Sequence, residues 1–190
     1  MFVGLVLFAA IVVAGIWFVG VYNKLVATKH GVAQAWANID VLLRQRHDEL
    51  PKLVDTCKQY MQYEQGAFEG VLHARAAVMG ASSSRNAAAL GKAETELRGE
   101  LGKLFALAEA YPDLKANQSF AQLQHRISTL ETGISDRREL YNDAVNHNNV
   151  SIEQFPGSVV AGFGGFRSFH LLQFEAGTTA DVDVKALFNR

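Results

Sequence analysis

The first 22 residues carry no charged side chain. They read MFVGLVLFAAIVVAGIWFVGVY, and a helix needs about 20 apolar residues to cross a bilayer core. The run therefore predicts a membrane-spanning helix over residues 1–22, with the lipid bilayer as its partner. Trp17, Phe18 and Tyr22 lie near one end of it, where aromatic rings favour the water–lipid interface. A cleaved signal peptide would place basic residues before a shorter apolar core. Here no Lys or Arg precedes the run and Lys24 and Lys29 follow it, so the expectation is a single-pass, uncleaved anchor. Lys24, Lys29, Arg44 and Arg46 all come after the span. The positive-inside rule then puts the remainder of the chain in the cytoplasm and the N-terminus outside. Ala10 and Ala14 form a small-xxx-small pair of the kind that lets two membrane helices approach.

Beyond the span, the apolar residues fall at helical spacing. Val32, Trp36, Ile39, Leu43, Leu50, Leu53 and Cys57 form one stripe, which Arg46 interrupts. Asp48 is a candidate N-cap for a new helix with Pro51 in its first turn; the alternative is one long helix kinked at Pro51. GASSS at residues 80–84 reads as a turn, with Asn86 or a serine capping the next helix. Its stripe is Leu90, Ala93, Leu97, Leu101, Leu104, Phe105 and Ala108. Gly91, Gly99 and Gly102 weaken that helix by about 1 kcal/mol each relative to alanine, so packing must hold it. Tyr111-Pro112 stops it. The last long helix begins near Asn117 or Ser119 with a heptad-like stripe: Phe120, Leu123, Ile127, Leu130, Ile134, Arg137, Tyr141 and Ala144.

The fold class is thus all-α: an N-terminal membrane helix, then an antiparallel bundle of long helices over residues 23–150. Four segments of roughly 25 to 31 residues, about 40 Å each, fit that reading. A kinked long hairpin folded at GASSS is the alternative. It would bring Tyr22 level with Tyr141. Residues 151–190 form a separate Phe/Gly-rich segment that ends in a weakly ordered tail.

The formal net charge is -1 with both signs interspersed, which speaks against a nucleic-acid partner. The single cysteine, Cys57, can form no intrachain disulfide and reads as a small apolar filler. None of the six histidines has HExxH spacing, and AGFGGF lacks the strand–turn–helix setting of a dinucleotide loop. Glu94, Glu96, Glu100, Glu131 and Glu139 read as solvated helix faces. No Glu-x-x-His occurs, the pair a bundle uses to hold metal. The expectation is no catalytic residue, no metal, no cofactor and no enzyme. Phe163, Phe166, Phe169 and Phe174 either cap the bundle's core or touch the membrane or another subunit.

Several blocks carry a family resemblance. They are YNKLV from Tyr22, with Asn23; the run over residues 32–60 that includes Trp36, Asp40 and Pro51; the HAR of residues 73–75; and YPDLKANQSFAQLQ, with Tyr111, Pro112, Asp113, Leu114, Lys115, Asn117 and Phe120. YNDAV, with Tyr141 and Asn142, and the Phe155-Pro156 pair complete the order. On these the chain resembles the LemA family of bacterial membrane proteins. The resemblance implies an N-terminal membrane helix followed by an all-α bundle, in the bacterial cytoplasmic membrane. It departs from the family in the glycine-rich third helix and in the AGFGGFRSFHLLQF stretch. It implies no enzymatic reaction. By analogy with a relative in magnetosome-forming bacteria it hints at membrane organisation. The expected function is a membrane-anchored scaffold that self-associates as a homo-oligomer. The alternative is an adaptor that recruits a membrane-protein partner, such as a protease or envelope sensor, with Asp113 and Lys115 in the contact.

Overall fold

The computed structural model describes residues 2–174. The tail expected at 175–190, like Met1, lies outside the described residues. Among those described there is no strand. The helices are α1 (Phe2–Lys58), α2 (Gln65–Ser83), α3 (Ala87–Ala108), α4 (Pro112–Lys115), α5 (Gln118–Glu153) and α6 (Gly157–Gly164). The all-α expectation holds, with boundaries that differ in three places.

The first concerns Pro51, where the sequence leaves a restart and a single helix both open. α1 runs through without ending or restarting, so the single-helix reading holds there and Asp48 caps nothing. An interior proline removes the N–H that would bond the carbonyl four residues back. That carbonyl belongs to His47, and the Arg75 guanidinium takes the place of the lost donor, with Nε donating to His47 O at 2.8 Å. A side chain from α2 thus repairs the backbone of α1. The chain turns instead at residues 59–64, where Tyr60 N and Met61 N both donate to Cys57 O. The long-hairpin alternative therefore fails, because residues 23–79 are not one helix. Tyr22 meets Phe166 rather than Tyr141.

The second difference is small. Gly80 lies inside α2, and the turn falls at Ser84 and Arg85. Arg85 takes the left-handed conformation at φ 51°. Asn86 then caps α3 by accepting from Ala89 N at 3.0 Å, a typical N-cap bond. The third is α6, a short helix in a stretch that reads as irregular. Pro156 sits at its N-cap, and Gly165 ends it at φ 66°, a left-handed C-cap that glycine adopts without steric cost.

The chain divides into two compact units. One comprises the described residues up to Val41 together with Gly133–Leu171. The other comprises Leu42–Thr132 and the described residues from Leu172.

In the first unit α1 and α5 run antiparallel: Trp36 stacks edge-on against Tyr141, with ring centroids 5.3 Å apart, while Thr28, earlier on α1, meets Asn148, later on α5. Leu25, Val32, Trp36 and Ile39 from α1 are buried, as are Ile134, Tyr141 and Val145 from α5.

In the second unit α2 and α3 form a hairpin that buries Phe68, Val71, Ala74 and Val78 against Leu90, Ala93, Leu97, Leu101 and Leu104. Leu43, Leu50, Leu53 and Cys57 from α1, and Phe120, Ile127 and Leu130 from α5, complete that core. The heptad-like stripe of α5 is used inside the fold except at Arg137, which is exposed.

Candidate functional site

The charge-free start of α1 is long and apolar enough to cross a membrane, and none of it is buried within the chain. Phe2, Leu5, Phe8, Ile11 and Ile16 are each more than two-thirds exposed. In water such a surface would be untenable; in lipid it is the expected one.

Just past the span, the first unit holds an extended strap, residues 166–171. A segment with no helix or sheet must find partners for its backbone elsewhere. Asn149 supplies two: its Oδ1 accepts from Phe169 N, and its Nδ2 donates to Phe169 O, each at 2.9 Å. Tyr141 Oη donates to His170 O at 3.1 Å. Burial pushes the Tyr141 phenol up, so it remains a donor at neutral pH. Tyr22 meets Phe166 edge to face, with centroids 5.6 Å apart. The amides of the NHNNV run were missed at the sequence level. The signal was there, because asparagine is a poor interior helix residue unless its side chain has a partner.

The YPDLKAN block is a knot in the second unit. Leu114 is buried, Pro112 opens α4, and Tyr111 Oη donates to Glu64 Oε1 at 3.2 Å. Asn117 works in two directions: its Oδ1 accepts from Phe120 N at 3.0 Å, capping α5, and its Nδ2 donates to Tyr60 Oη at 2.9 Å. Lys115 pairs with Glu109, and Asp113 and Lys115 are exposed. Most of the block is therefore structural, with two charges left at the surface. Tyr63, in the turn that this knot ties down, is 94% exposed.

Two readings of charge are overturned. Arg46 does not break the α1 stripe but belongs to it, 1% exposed, and pairs with a fully buried Glu94 from α3. Glu94 is thus no solvated residue. Nor is Glu131 fully solvated: it is half-buried. Desolvation first, and the Glu94 charge as well, raise its carboxyl above the ordinary value, against the pull of Arg46 and Arg98. Arg46 Nη1 and Glu94 Oε2 have no hydrogen-bond partner among the described residues. Glu49 bridges Lys52 and Arg126, each at 3.2 Å. The physical reason for the miss is distance in sequence, since the partner of Arg46 lies 48 residues away.

The four tail phenylalanines divide. Phe166 and Phe169 are half-buried in the first unit. Phe174, in the second unit, lies under the Arg98 guanidinium, 4.9 Å from its ring centre. Only Phe163, 83% exposed, keeps a bare ring, and Phe155 joins it at 80%. Of the other motif residues, Trp36, Phe120 and Tyr141 are buried, Asp40, Pro51, Asn142 and Pro156 are half-buried, and Asn23 and Pro112 are exposed. Cys57 is fully buried and its thiol is pushed up to about 11 by that burial. Among the described residues no group of three or more His, Cys, Asp or Glu could hold a metal ion.

A bare apolar helix that runs without interruption into a helical bundle defines a membrane-associated protein of all-α fold. The sequence matches the LemA family over residues 35–186, and the chain belongs to that family. Two relatives are magnetosome proteins, MamQ 1 and MamQ 2 of Paramagnetospirillum magneticum strain AMB-1. Each is 22% identical over 190 residues, covering 88% of this chain and 70% of the relative.

Proposed function

We propose that this protein is a non-enzymatic, membrane-anchored structural protein that self-associates and organises the bilayer it sits in. One observation carries the reading: α1 passes from the bare apolar segment to Lys58 as a single helix. An anchor joined by a flexible linker would let the bundle drift. A continuous helix transmits any tilt of the span directly to the helices packed on it. With the α5 stripe used internally, the span offers a surface for self-association, where Ala10 and Ala14 are exposed on one face. Small residues on one face favour close helix–helix approach in lipid. The relatives named as magnetosome proteins support a role tied to membranes. Mass measurement of the full-length protein in nanodiscs tests the reading. Oligomers that dissociate when Ala10 and Ala14 are both replaced by leucine are expected; a strictly monomeric wild type would refute it.

A second reading, an adaptor for a membrane-protein partner, is favoured by Tyr63 lying bare near Asp113 and Lys115. The knot ties the turn that carries Tyr63 to the short helix α4 that carries Asp113 and Lys115. Replacing Tyr63, Asp113 and Lys115 with alanine while following cross-linked partners tests it. Loss of a specific cross-link with unchanged helicity supports recruitment, and an unchanged cross-linking pattern counts against it.

A further inference from the structure

α6 is set against α1 where the span ends. Its inner residues Val160 and Ala161 are buried with Leu25, and Val21, Ile152 and Phe166 pack against that cluster. Val21 belongs to the charge-free run, and Leu25 lies four residues on, a rise of about 6 Å. The outer side of α6 and the turn that leads into it are apolar as well: Phe155, Val159 and Phe163 are 80%, 49% and 83% exposed. Val159 and Phe163, four apart within α6, lie on one face of it, and Phe155 precedes the helix, before the cis peptide to Pro156. Residues 154–166 carry no charge. Exposed Glu153 precedes the stretch and exposed Arg167 follows it, while exposed Lys24 of α1 lines the same hollow as Phe155.

Scattered single hydrophobic residues on a surface are ordinary. Three on one short helix and the turn before it, packed beside a bare membrane span, are not. We infer that α6 lies in the headgroup layer of the same membrane that α1 enters, with Phe155, Val159 and Phe163 at the acyl boundary, as a second contact with the lipid surface. The height of α6 is fixed by its packing on Val21 and Leu25, so it sits within about 6 Å of the last apolar turn. Interfacial helices bury their apolar face about 5–10 Å deep, which matches. Lys24 and Arg167 suit anionic headgroups, and Glu153 offsets part of that charge. This contact would hold the bundle at one angle to the bilayer, which a lone span cannot do. The inference rests on the reading of residues 2–22 as a membrane span.

The test uses the full-length protein in nanodiscs of phosphatidylcholine and phosphatidylglycerol. Single added cysteines at Phe163 and Val159 carry a nitroxide, with Gly15→Cys as the lipid reference and Arg85→Cys as the water reference. Cys57 is buried with a raised thiol and stays unlabelled. Collision with oxygen, which partitions into lipid, is compared with collision with a water-soluble nickel chelate. At Phe163→Cys and Val159→Cys the oxygen-to-nickel ratio is expected several-fold above that of Arg85→Cys and below that of Gly15→Cys. A ratio equal to that of Arg85→Cys, with Gly15→Cys still lipid-like, overturns the interfacial contact and leaves the anchor standing. Water-like behaviour at Gly15→Cys as well overturns both. A label closed to both reagents means that protein covers that face, and that too overturns the lipid assignment.

Discussion

In the unit that carries the anchor, the key buried polar groups are amides and a phenol, and they bond to a strap's backbone. In the other unit, they are a guanidinium and a carboxylate, and they bond to each other. Asn149 and Tyr141 make three ordinary hydrogen bonds to Phe169 and His170. Arg46 and Glu94 make an ion pair at 1% and 0% exposure that leaves one nitrogen and one oxygen without a hydrogen-bond partner. The neutral arrangement holds a segment that cannot satisfy itself. The charged one fixes α1 to α3, and it does so at a desolvation cost that roughly cancels its attraction. Net stabilisation is then small in both places, while the damage from losing one partner differs greatly.

The largest effect should come from splitting the ion pair. Glu94→Ala leaves a buried guanidinium without its paired carboxylate, offset only in part by Glu131, which costs up to about 3–5 kcal/mol. Arg46→Met combined with Glu94→Leu removes both charges and is expected to return stability to within about 1 kcal/mol of wild type, or above it. Urea unfolding of the full-length protein in micelles, followed by helicity, measures both. If the double variant were as unstable as the single one, the pair would be a true net stabiliser and the comparison would lose one side.

The neutral clamp should give way more gently. Asn149→Ala removes two hydrogen bonds to the strap and a third accepted from Asn148 Nδ2 at 3.3 Å, about 0.5–1.5 kcal/mol each, so a loss of about 1.5–4 kcal/mol is expected. The local consequence should be clearer than the global one, since the backbone around Phe169 is freed. Tryptic cleavage after Arg167 is expected to rise well before the helices unfold. Unchanged cleavage would mean that the strap is held by its rings rather than by its backbone.

This contrast also marks what the sequence disclosed. The apolar start of α1, the cap at Asn86, the helix start near Asn117 and the α5 stripe apart from Arg137 are local signals, and each reads correctly from its neighbours. Pro51 left a restart and a single helix both open, because its usual effect on a helix is offset by Arg75, on another helix and 28 residues from the carbonyl it repairs. The turn at residues 59–64 holds neither glycine nor proline, and so carried no breaker signal. Arg46 and Glu94 each look like surface residues alone, because burial of a charge makes sense only once its partner is known. α6 was obscured by its glycines, which belong to close contacts and a C-cap. The knot around YPDLKAN was visible as a motif, but its bonds to Tyr60 and Glu64 were not.

A smaller effect tests how the strap continues into the second unit. There the backbone carbonyl of Gln173 lies where a side chain on Gly91 would sit, and Leu172 is buried. Gly91→Ala gains about 1 kcal/mol of helix propensity but forces an overpacked contact with backbone, worth about 1–3 kcal/mol. A net loss of about 1 kcal/mol is expected. Gly99, with nothing near it, is the control: Gly99→Ala should stabilise by up to about 1 kcal/mol. Equal gains in both, measured by thermal unfolding, would show that the segment at Gln173 yields freely.

The smallest effect separates the two units by pH. Glu131 lies among the charges of the second unit, and its carboxyl is raised from 4.5, chiefly by desolvation and also by Glu94, while Arg46 and Arg98 pull it down. A raised carboxyl binds its proton more tightly in the folded chain than in the unfolded one. Its ionisation therefore opposes folding, beginning as pH climbs past the ordinary value and complete above the raised one. Glu131→Gln, which cannot ionise, should be more stable than wild type at pH 7 by a few tenths of a kcal/mol. The gain should fade toward about pH 3.5, where the wild-type carboxyl is protonated in both states. Asn149→Ala, which removes only neutral bonds, should show the same loss at both pH values. A Glu131→Gln variant less stable than wild type at pH 7 would mean that the attraction of Arg46 and Arg98 outweighs desolvation, making Glu131 a working member of the ion-pair cluster rather than a burden on it.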